Sequence, residues 1–218
     1  MKTIVLLSGG LDSTVLATKL VKEGHEVLAL SIDYGQRHKK EILCAKLIAA
    51  ELGIEHRVAD VSALSYFLAG SSQTSEDIAV PDGHYAEESM KLTVVPNRNM
   101  LLLSIATAWA VSVKADLIAY AAHAGDHTIY PDCRKEFIDK LAEAIAIADW
   151  HSVKLFAPFA EISKADIAKL GSDINAPMAL TWSCYKGGAK HCGKCGTCVE
   201  RREAFQLAEV QDPTHYEG

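Results

Sequence analysis

Two hydrophobic periods alternate along this chain. Residues 3–7 (Thr-Ile-Val-Leu-Leu) form a short apolar run ending in Ser8-Gly9-Gly10, which predicts a buried parallel strand entering a tight turn. From Asp12 the period becomes helical: Val15, Leu16, Leu20 and Val21 recur on one face, and Gly24 closes the segment. Residues 26–32 read as a second strand, 41–52 as a second helix with Gly53 at its end, and 56–59 as a third short strand. The alternation returns with an apolar helix over 99–114, a strand over 116–120, an amphipathic helix over 135–148, a strand over 153–156 and a short helix over 164–170. Strands separated by helices in this order predict an α/β fold, a parallel sheet with helices on both faces.

Two stretches break the rhythm. Residues 66–92 carry Ser, Gly, Pro and acidic residues and read as a long loop or lid, a kind of segment that is usually functional. From residue 176 the chain turns to glycines, lysines and cysteines, closed by a helix over 199–207. The predicted organisation is a nucleotide-binding domain over 1–175 and a small cysteine-rich subdomain over 176–218. No internal repeat or low-complexity tract is visible.

Composition narrows the classes. Of 218 residues, 49% are hydrophobic and 23% charged, enough apolar surface to offset the entropy of ordering, so a disordered chain is excluded. The formal charge of −6 argues against a nucleic-acid partner, which needs a basic surplus. The longest apolar run, residues 100–113, is interrupted by Ser104, Thr107 and Ser112 and falls short of the ~20 residues a bilayer demands. Met1-Lys2 leads directly into the first strand with no secretory pattern, so a cytoplasmic protein away from membranes is expected.

The first candidate chemistry is Ser8-Gly9-Gly10-Leu11-Asp12-Ser13, with Thr14 following, between strand and helix. Glycines let backbone N–H groups converge into an anion nest, and the helix N-terminus adds free donors and partial positive charge. Ser8 and Ser13 offer hydroxyls; Asp12 can cap the helix, bind magnesium or shape the loop. No lysine follows as in a Walker loop, and no G-x-G-x-x-G is present. After the second strand, Asp33-Tyr34-Gly35-Gln36-Arg37-His38 should face a ligand at the sheet's carboxyl edge, with Tyr34 stacking on a base and Arg37 pairing with an anion. Arg98 sits at a predicted helix start, where a cation is unfavourable unless an anion is bound nearby. Asp126 and Asp132 lie after a strand, where carboxylates can accept from the ring N–H groups of a purine-like base. Cys133 reads as a buried structural thiol rather than a nucleophile, since no base is paired with it in sequence.

Cys184, Cys192, Cys195 and Cys198 crowd the last fifth of the chain, with two-residue spacers that let neighbouring thiolates share one tetrahedral ion. A closed four-thiolate zinc site has no open position, so that ion is read as structural. An iron–sulfur cluster is the rival occupant, and His191 the rival ligand.

The Ser-Gly-Gly-x-Asp-Ser string resembles the pyrophosphate loop of the ATP pyrophosphatase superfamily, whose members cleave ATP between its α and β phosphates. That likeness implies a Rossmann-like sheet, Ser8–Ser13 holding the leaving pyrophosphate, and the strand end Ser31-Ile32-Asp33 beside adenine and ribose. It also matches Lys164 to a late lysine that neutralises developing phosphate charge. With Asp-Tyr-Gly-Gln-Arg-His, Pro-Asn-Arg-Asn, Tyr-Pro-Asp-Cys-Arg (ending at Arg134) and Trp-Ser-Cys-Tyr…Cys-Gly-Lys-Cys-Gly-Thr-Cys, the chain resembles the 7-cyano-7-deazaguanine synthase family of the queuosine precursor pathway, from the first strand to residue 205. That resemblance implies ATP and Mg2+, one structural Zn2+, 7-carboxy-7-deazaguanine and ammonia as substrates, and a homodimer. It implies Ser13, Arg98 and Lys164 as catalytic residues, and Tyr34, Arg37, Asp126, Asp132 and Arg134 around the substrate. Rival readings are a tRNA-modifying member of the superfamily, a relative activating another carboxylate, and a non-enzymatic zinc-ribbon module.

Overall fold

The computed structural model describes residues 1–84 and 88–217. Five strands, β1 (Lys2–Leu6), β2 (Glu26–Asp33), β3 (Glu55–Asp60), β4 (Leu117–Ala119) and β5 (Lys154–Phe156), form one sheet in the order β3-β2-β1-β4-β5. Every neighbouring pair is parallel, with Ile4 in register between Leu28 and Ile118. The helices are α1 (Leu11–Lys22), α2 (Lys40–Leu52), α3 (Arg98–Ser112), α4 (Lys135–Ile147), α5 (Lys164–Asp173) and α6 (Gly196–Leu207).

The central strands are apolar at successive positions because both faces are covered. Ile4, Leu30 and Ile118 pack on one side with Leu103 and Ala106 of α3 and Ile138 of α4. Val5, Ala29 and Ala119 pack on the other with Val15 and Leu16 of α1, Ile48 of α2, Ile167 of α5 and Phe205 of α6. The edge strand β3 instead carries Glu55, Arg57 and Asp60 on exposed positions, which discourages further strand pairing. The chain builds outward from β1 to β3, then returns to the other side of β1 for β4. That reversal opens a crevice at the carboxyl ends of the central strands.

The described residues of the 66–92 segment are more ordered than the expected loop. Short 3-10 turns span Ser62–Leu68 and Glu88–Thr93, and Leu68 and Met90 enter the core. Local hydrogen bonds replace a ladder here: the Thr74 hydroxyl donates to the Leu68 carbonyl at 2.7 Å, and Ser71 and Ser72 are buried. Residues 85–87, within the expected lid, lie outside the described residues. The cysteine-rich tail is laid on the main sheet's core, since α6 contributes Phe205 to it and the Trp182 amide donates to the Gly9 carbonyl at 2.9 Å. Among the described residues no helix is long and apolar enough to cross a membrane.

Candidate active site and metal centre

At the first turn, Gly9 takes φ +89°, and a Cβ there would collide with the Glu41 carbonyl of α2. Only glycine lets the β1–α1 turn pass this close to a second helix. Gly10 caps α1 in an extended conformation with no side-chain cap, so of the alternatives open to Asp12 helix capping is not the one taken. The first-turn amides of α1 are thereby left to a ligand. Ser8, Gly10, Leu11, Asp12 and Ser13 all line the cavity. The Ser8 and Ser13 hydroxyls lie 3.0 Å apart, and the Ser8 amide donates to Ser13 Oγ at 3.2 Å. Gly9 and Thr14 form the back of the loop; the Thr14 hydroxyl donates to the Gly10 carbonyl at 2.7 Å and faces away from the cavity lining.

Lys164 reaches this loop from the start of α5, where Ser163 and Asp166 form a reciprocal capping box. Its Nζ stands 2.7 Å from Glu200 Oε2 and 3.3 Å from Asp12 Oδ2. Burial works against its charge, but the carboxylates of Asp12, Glu200 and Asp126 hold its pKa above the ordinary lysine range. Burial likewise opposes the charge on Asp12, yet Lys164 and His123 keep it ionised. His123, fully buried, places Nε2 3.5 Å from Asp126, 3.8 Å from Glu200 and 3.9 Å from Asp12. Asp12 Oδ1 is buried with no hydrogen-bond partner among the described residues. A lone buried carboxylate oxygen beside the Ser8–Ser13 turn fits a magnesium ligand, so the donor set is compatible with Mg2+.

The opposite wall is aromatic. Arg98 opens α3 after Asn97, which adopts a left-handed φ of 52°. Burial disfavours its charge, but interactions with Tyr34 and Tyr185, including a hydrogen bond to Tyr34, carry its pKa above the usual value. Tyr34, Tyr130 and Tyr185 line the cavity beside it, with Glu41, Gln36 and Gln73 as polar groups. Burial pushes the Glu41 carboxyl up to about 7, Arg98 pulling the other way. Cys133 is buried 3.3 Å from the Tyr120 hydroxyl and its thiol is pushed far up by burial, as suits a structural residue.

Several sequence-predicted contacts are placed elsewhere. Asp33 accepts from Lys39 at 2.6 Å and from the Gly35 amide at 3.1 Å, closing its own turn; Ser31 and Ile32 line the cavity instead. Arg37 is exposed and donates to the Ile78 carbonyl at 3.2 Å. Asp132 accepts the Asn99 amide at 3.0 Å, satisfying a free donor at the head of α3. Arg134 is exposed and donates to the His127 carbonyl at 2.9 Å. None of these four lines the cavity, whereas Tyr34 and Asp126 do. Glu41, Gln73, Tyr185, His123 and Glu200 were not anticipated. Only His123, just past the carboxyl end of β4, stood where the sheet topology could have flagged it.

The sulfurs of Cys184, Cys192, Cys195 and Cys198 all lie within 4.8 Å of one another. Four convergent, mostly buried thiols on glycine turns fit a tetrahedral metal ion. His191 is not among them: its Nε2 accepts the Ser183 amide at 3.1 Å and its ring packs on Trp182, with centroids 4.1 Å apart. The fully buried Arg201 donates to the Thr181 and Ser183 hydroxyls at 2.8 and 3.1 Å and pairs with Asp212 at 3.3 Å. Trp182, Ser183, Tyr185 and Thr197 line the cavity, so the metal centre and the crevice share a wall.

Comparison with known proteins finds relatives along the whole chain. The chain is 56% identical to 7-cyano-7-deazaguanine synthase of Allorhizobium ampelinum, over all of this chain and 93% of the relative. It is 52% identical to 7-cyano-7-deazaguanine synthase of Methanoregula boonei, over the whole of both chains. Among solved structures, the NMN synthetase of Francisella tularensis matches 96% of this chain and 78% of its own length with a TM-score of 0.53 at 18% identity, a likeness of fold alone. The family described as Queuosine biosynthesis protein QueC matches residues 2–209. This chain, with its pyrophosphate-loop crevice and four-cysteine centre, belongs to that family of queuosine precursor enzymes.

Proposed function

We propose that the chain is an AMP-forming carbon–nitrogen ligase that converts 7-carboxy-7-deazaguanine and ammonia into 7-cyano-7-deazaguanine at the cost of ATP. The observation that carries this reading is one crevice with a phosphate-type wall (Ser8, Gly10, Ser13, Lys164) facing an aromatic one (Tyr34, Tyr130, Tyr185) around Arg98. A carboxylate is a poor electrophile because its leaving group would be oxide. Attack of its oxygen on the α-phosphate expels pyrophosphate and makes a mixed anhydride. Ammonia displaces AMP to give the amide. A second adenylation, on the amide oxygen, lets AMP carry that oxygen away and leaves the nitrile.

Each residue's part follows from position and charge. The α1 amides and the Ser8 and Ser13 hydroxyls hold the departing pyrophosphate. Lys164 meets its growing charge, and Arg98 orients the acid's carboxylate. Mg2+, held through Asp12, supplies positive charge to the phosphates. One Zn2+ per chain, held by Cys184, Cys192, Cys195 and Cys198, braces the wall formed by residues 176–218. Gln73 lines the crevice from the 66–92 segment, which supports a covering role that keeps water from the anhydride. Exposed Leu43 and Leu47 of α2 and exposed Tyr66 and Phe67 support a homodimer, and the reading is of a cytoplasmic enzyme.

The test is mass spectrometry of the protein with 7-carboxy-7-deazaguanine, ammonium and Mg-ATP. The nitrile with about two AMP per turnover is expected, one for each oxygen removed. AMP release that stops at the amide, or at another conjugate, would reassign the acceptor.

A further inference from the structure

We propose that Glu41 is the catalytic base that takes the proton from the incoming ammonia as the activated acid becomes the amide. The proposal rests on the ligase reading above and deepens it. Glu41 is the second residue of α2, and its backbone carbonyl lies directly behind Gly9 of the pyrophosphate loop. Its side chain reaches the same cavity as Ser8, Ser13 and Arg98. It is thus anchored to the loop that holds ATP, on the wall shared with the aromatic pocket.

Its company sets it apart from the other carboxylates at the site. Asp12 is held by Lys164 at 3.3 Å, and Asp126 accepts the His123 amide at 3.3 Å. Glu41 makes no hydrogen bond or ion pair with any described residue within those limits. The groups that face it are Arg98 from α3, Tyr34 from the end of β2, Tyr185 from the segment before α6, and Cys44 one turn further along α2. Lys40, its chain neighbour, is turned over the Trp182 ring, 3.5 Å from the centroid. The phenols of Tyr34 and Tyr185 and the Cys44 and Cys133 thiols are all shifted upward and keep their protons at neutral pH. Lys164 stays charged and can accept nothing. Burial pushes the Glu41 carboxyl up to about 7, in the range where a general base works best.

The step balances without an outside reagent. The ammonia nitrogen attacks the acyl carbon, the new C–N bond forms, and the C–O bond to AMP breaks with AMP keeping the electron pair. The nitrogen then carries one proton too many for a neutral amide. That proton passes to the Glu41 carboxylate and on to solvent before the second ATP is used.

The experiment separates the two half-reactions in the wild type, Glu41→Gln and Glu41→Asp. Acid-dependent exchange of pyrophosphate into ATP, without ammonium, reports adenylation alone. Amide and nitrile formation at saturating ammonium, over about pH 6–9, reports the nitrogen step. Glu41→Gln is expected to exchange within about threefold of wild type, with KM for the acid unchanged. Its amide formation should fall about 10²–10⁴-fold and lose the limb near pH 7, with partial rescue by Glu41→Asp. Amide formation near the wild-type rate in Glu41→Gln, persistence of the limb, or a raised KM for the acid at unchanged kcat would each overturn the proposal alone. Absence of exchange in the wild type would instead overturn the ligase reading and this proposal with it.

Discussion

The crevice carries a partly buried cation on each wall, and the two are kept in opposite company. Lys164 is clasped by the protein's own acids, Asp12 and Glu200, with Asp126 and His123 behind them. Arg98 sits among Tyr34, Tyr185 and Cys133, and its charge acts on the Glu41 carboxyl. Burying a charge is costly unless it is paired, so the Lys164 cluster is close to self-sufficient, whereas Arg98 is surrounded by phenols and a thiol and is the cation the proposed anionic substrate would complete. In the proposed reaction a polyphosphate would have to draw Lys164 from its carboxylates, and Asp12 Oδ1, buried without a hydrogen-bond partner among the described residues, is where a divalent ion would ease that exchange. On the second wall, the proposed substrate itself would complete the charge balance.

The largest effect should come from removing the element both walls lean on. In Cys195→Ser the metal is lost, and with it folding free energy of the order of 10 kcal/mol. Metal content and denaturant unfolding check this; a metal-free, folded, active variant would contradict it. Next in size is the direct contrast between the cations. Lys164→Met strands two largely buried carboxylates and should cost about 3–5 kcal/mol, whereas Arg98→Met removes a cation with no such ion pair among the described residues and should cost clearly less. Both should lose AMP formation. Equal losses of stability would break the comparison. Because the pKa of Lys164 is raised, its stabilisation is fully present below the unfolded value of about 10.4 and disappears only as pH climbs through the folded one. The stability gap between wild type and Lys164→Met should therefore hold across neutral pH and narrow in strong alkali.

Glu41 gives the opposite sign. Its folded pKa is raised from 4.5 to about 7, so the folded state binds the extra proton between those values and loses stability as pH rises through them. Glu41→Gln should be more stable than wild type at about pH 8, by at most ~3 kcal/mol, and equal to it near pH 4.5. Urea midpoints at the two pH values decide this, and no pH dependence in the difference would place Glu41 in solvent. The smallest effects belong to Arg37→Ala and Arg134→Ala, both turned out of the crevice: stability within about 0.5 kcal/mol and turnover near wild type. A large loss of turnover in either would return that arginine to the substrate's side.

Some of this architecture needs only neighbouring residues. The alternation of apolar strands and amphipathic helices, the Ser8–Ser13 turn and the Cys192, Cys195 and Cys198 spacing are local patterns. Their geometry is set by backbone sterics, hydrogen bonding and the reach of a two-residue spacer, so they are legible in order along the chain. The structure brings Ser8, Ser13, Lys164, Arg98 and Tyr34 to one crevice and turns Asp33, Arg37, Asp132 and Arg134 to turn closure, helix capping and the surface. Residue type and position after a strand could not separate those two groups, because a polar side chain satisfies whichever partner the packed neighbours put in reach.

What the sequence by itself determined is therefore the scaffold, the Ser8–Ser13 turn and the cysteine spacing that lets four thiols converge, each specified within a short span of chain. Only the tertiary structure decided that Glu200, two residues past a metal ligand, would pair with Lys164, 36 positions earlier. It also decided that Glu41 would face Arg98 across the crevice. Those pairings are fixed by how α2, α3, α5 and α6 dock on the sheet, and docking depends on burial summed over many distant residues rather than on any motif.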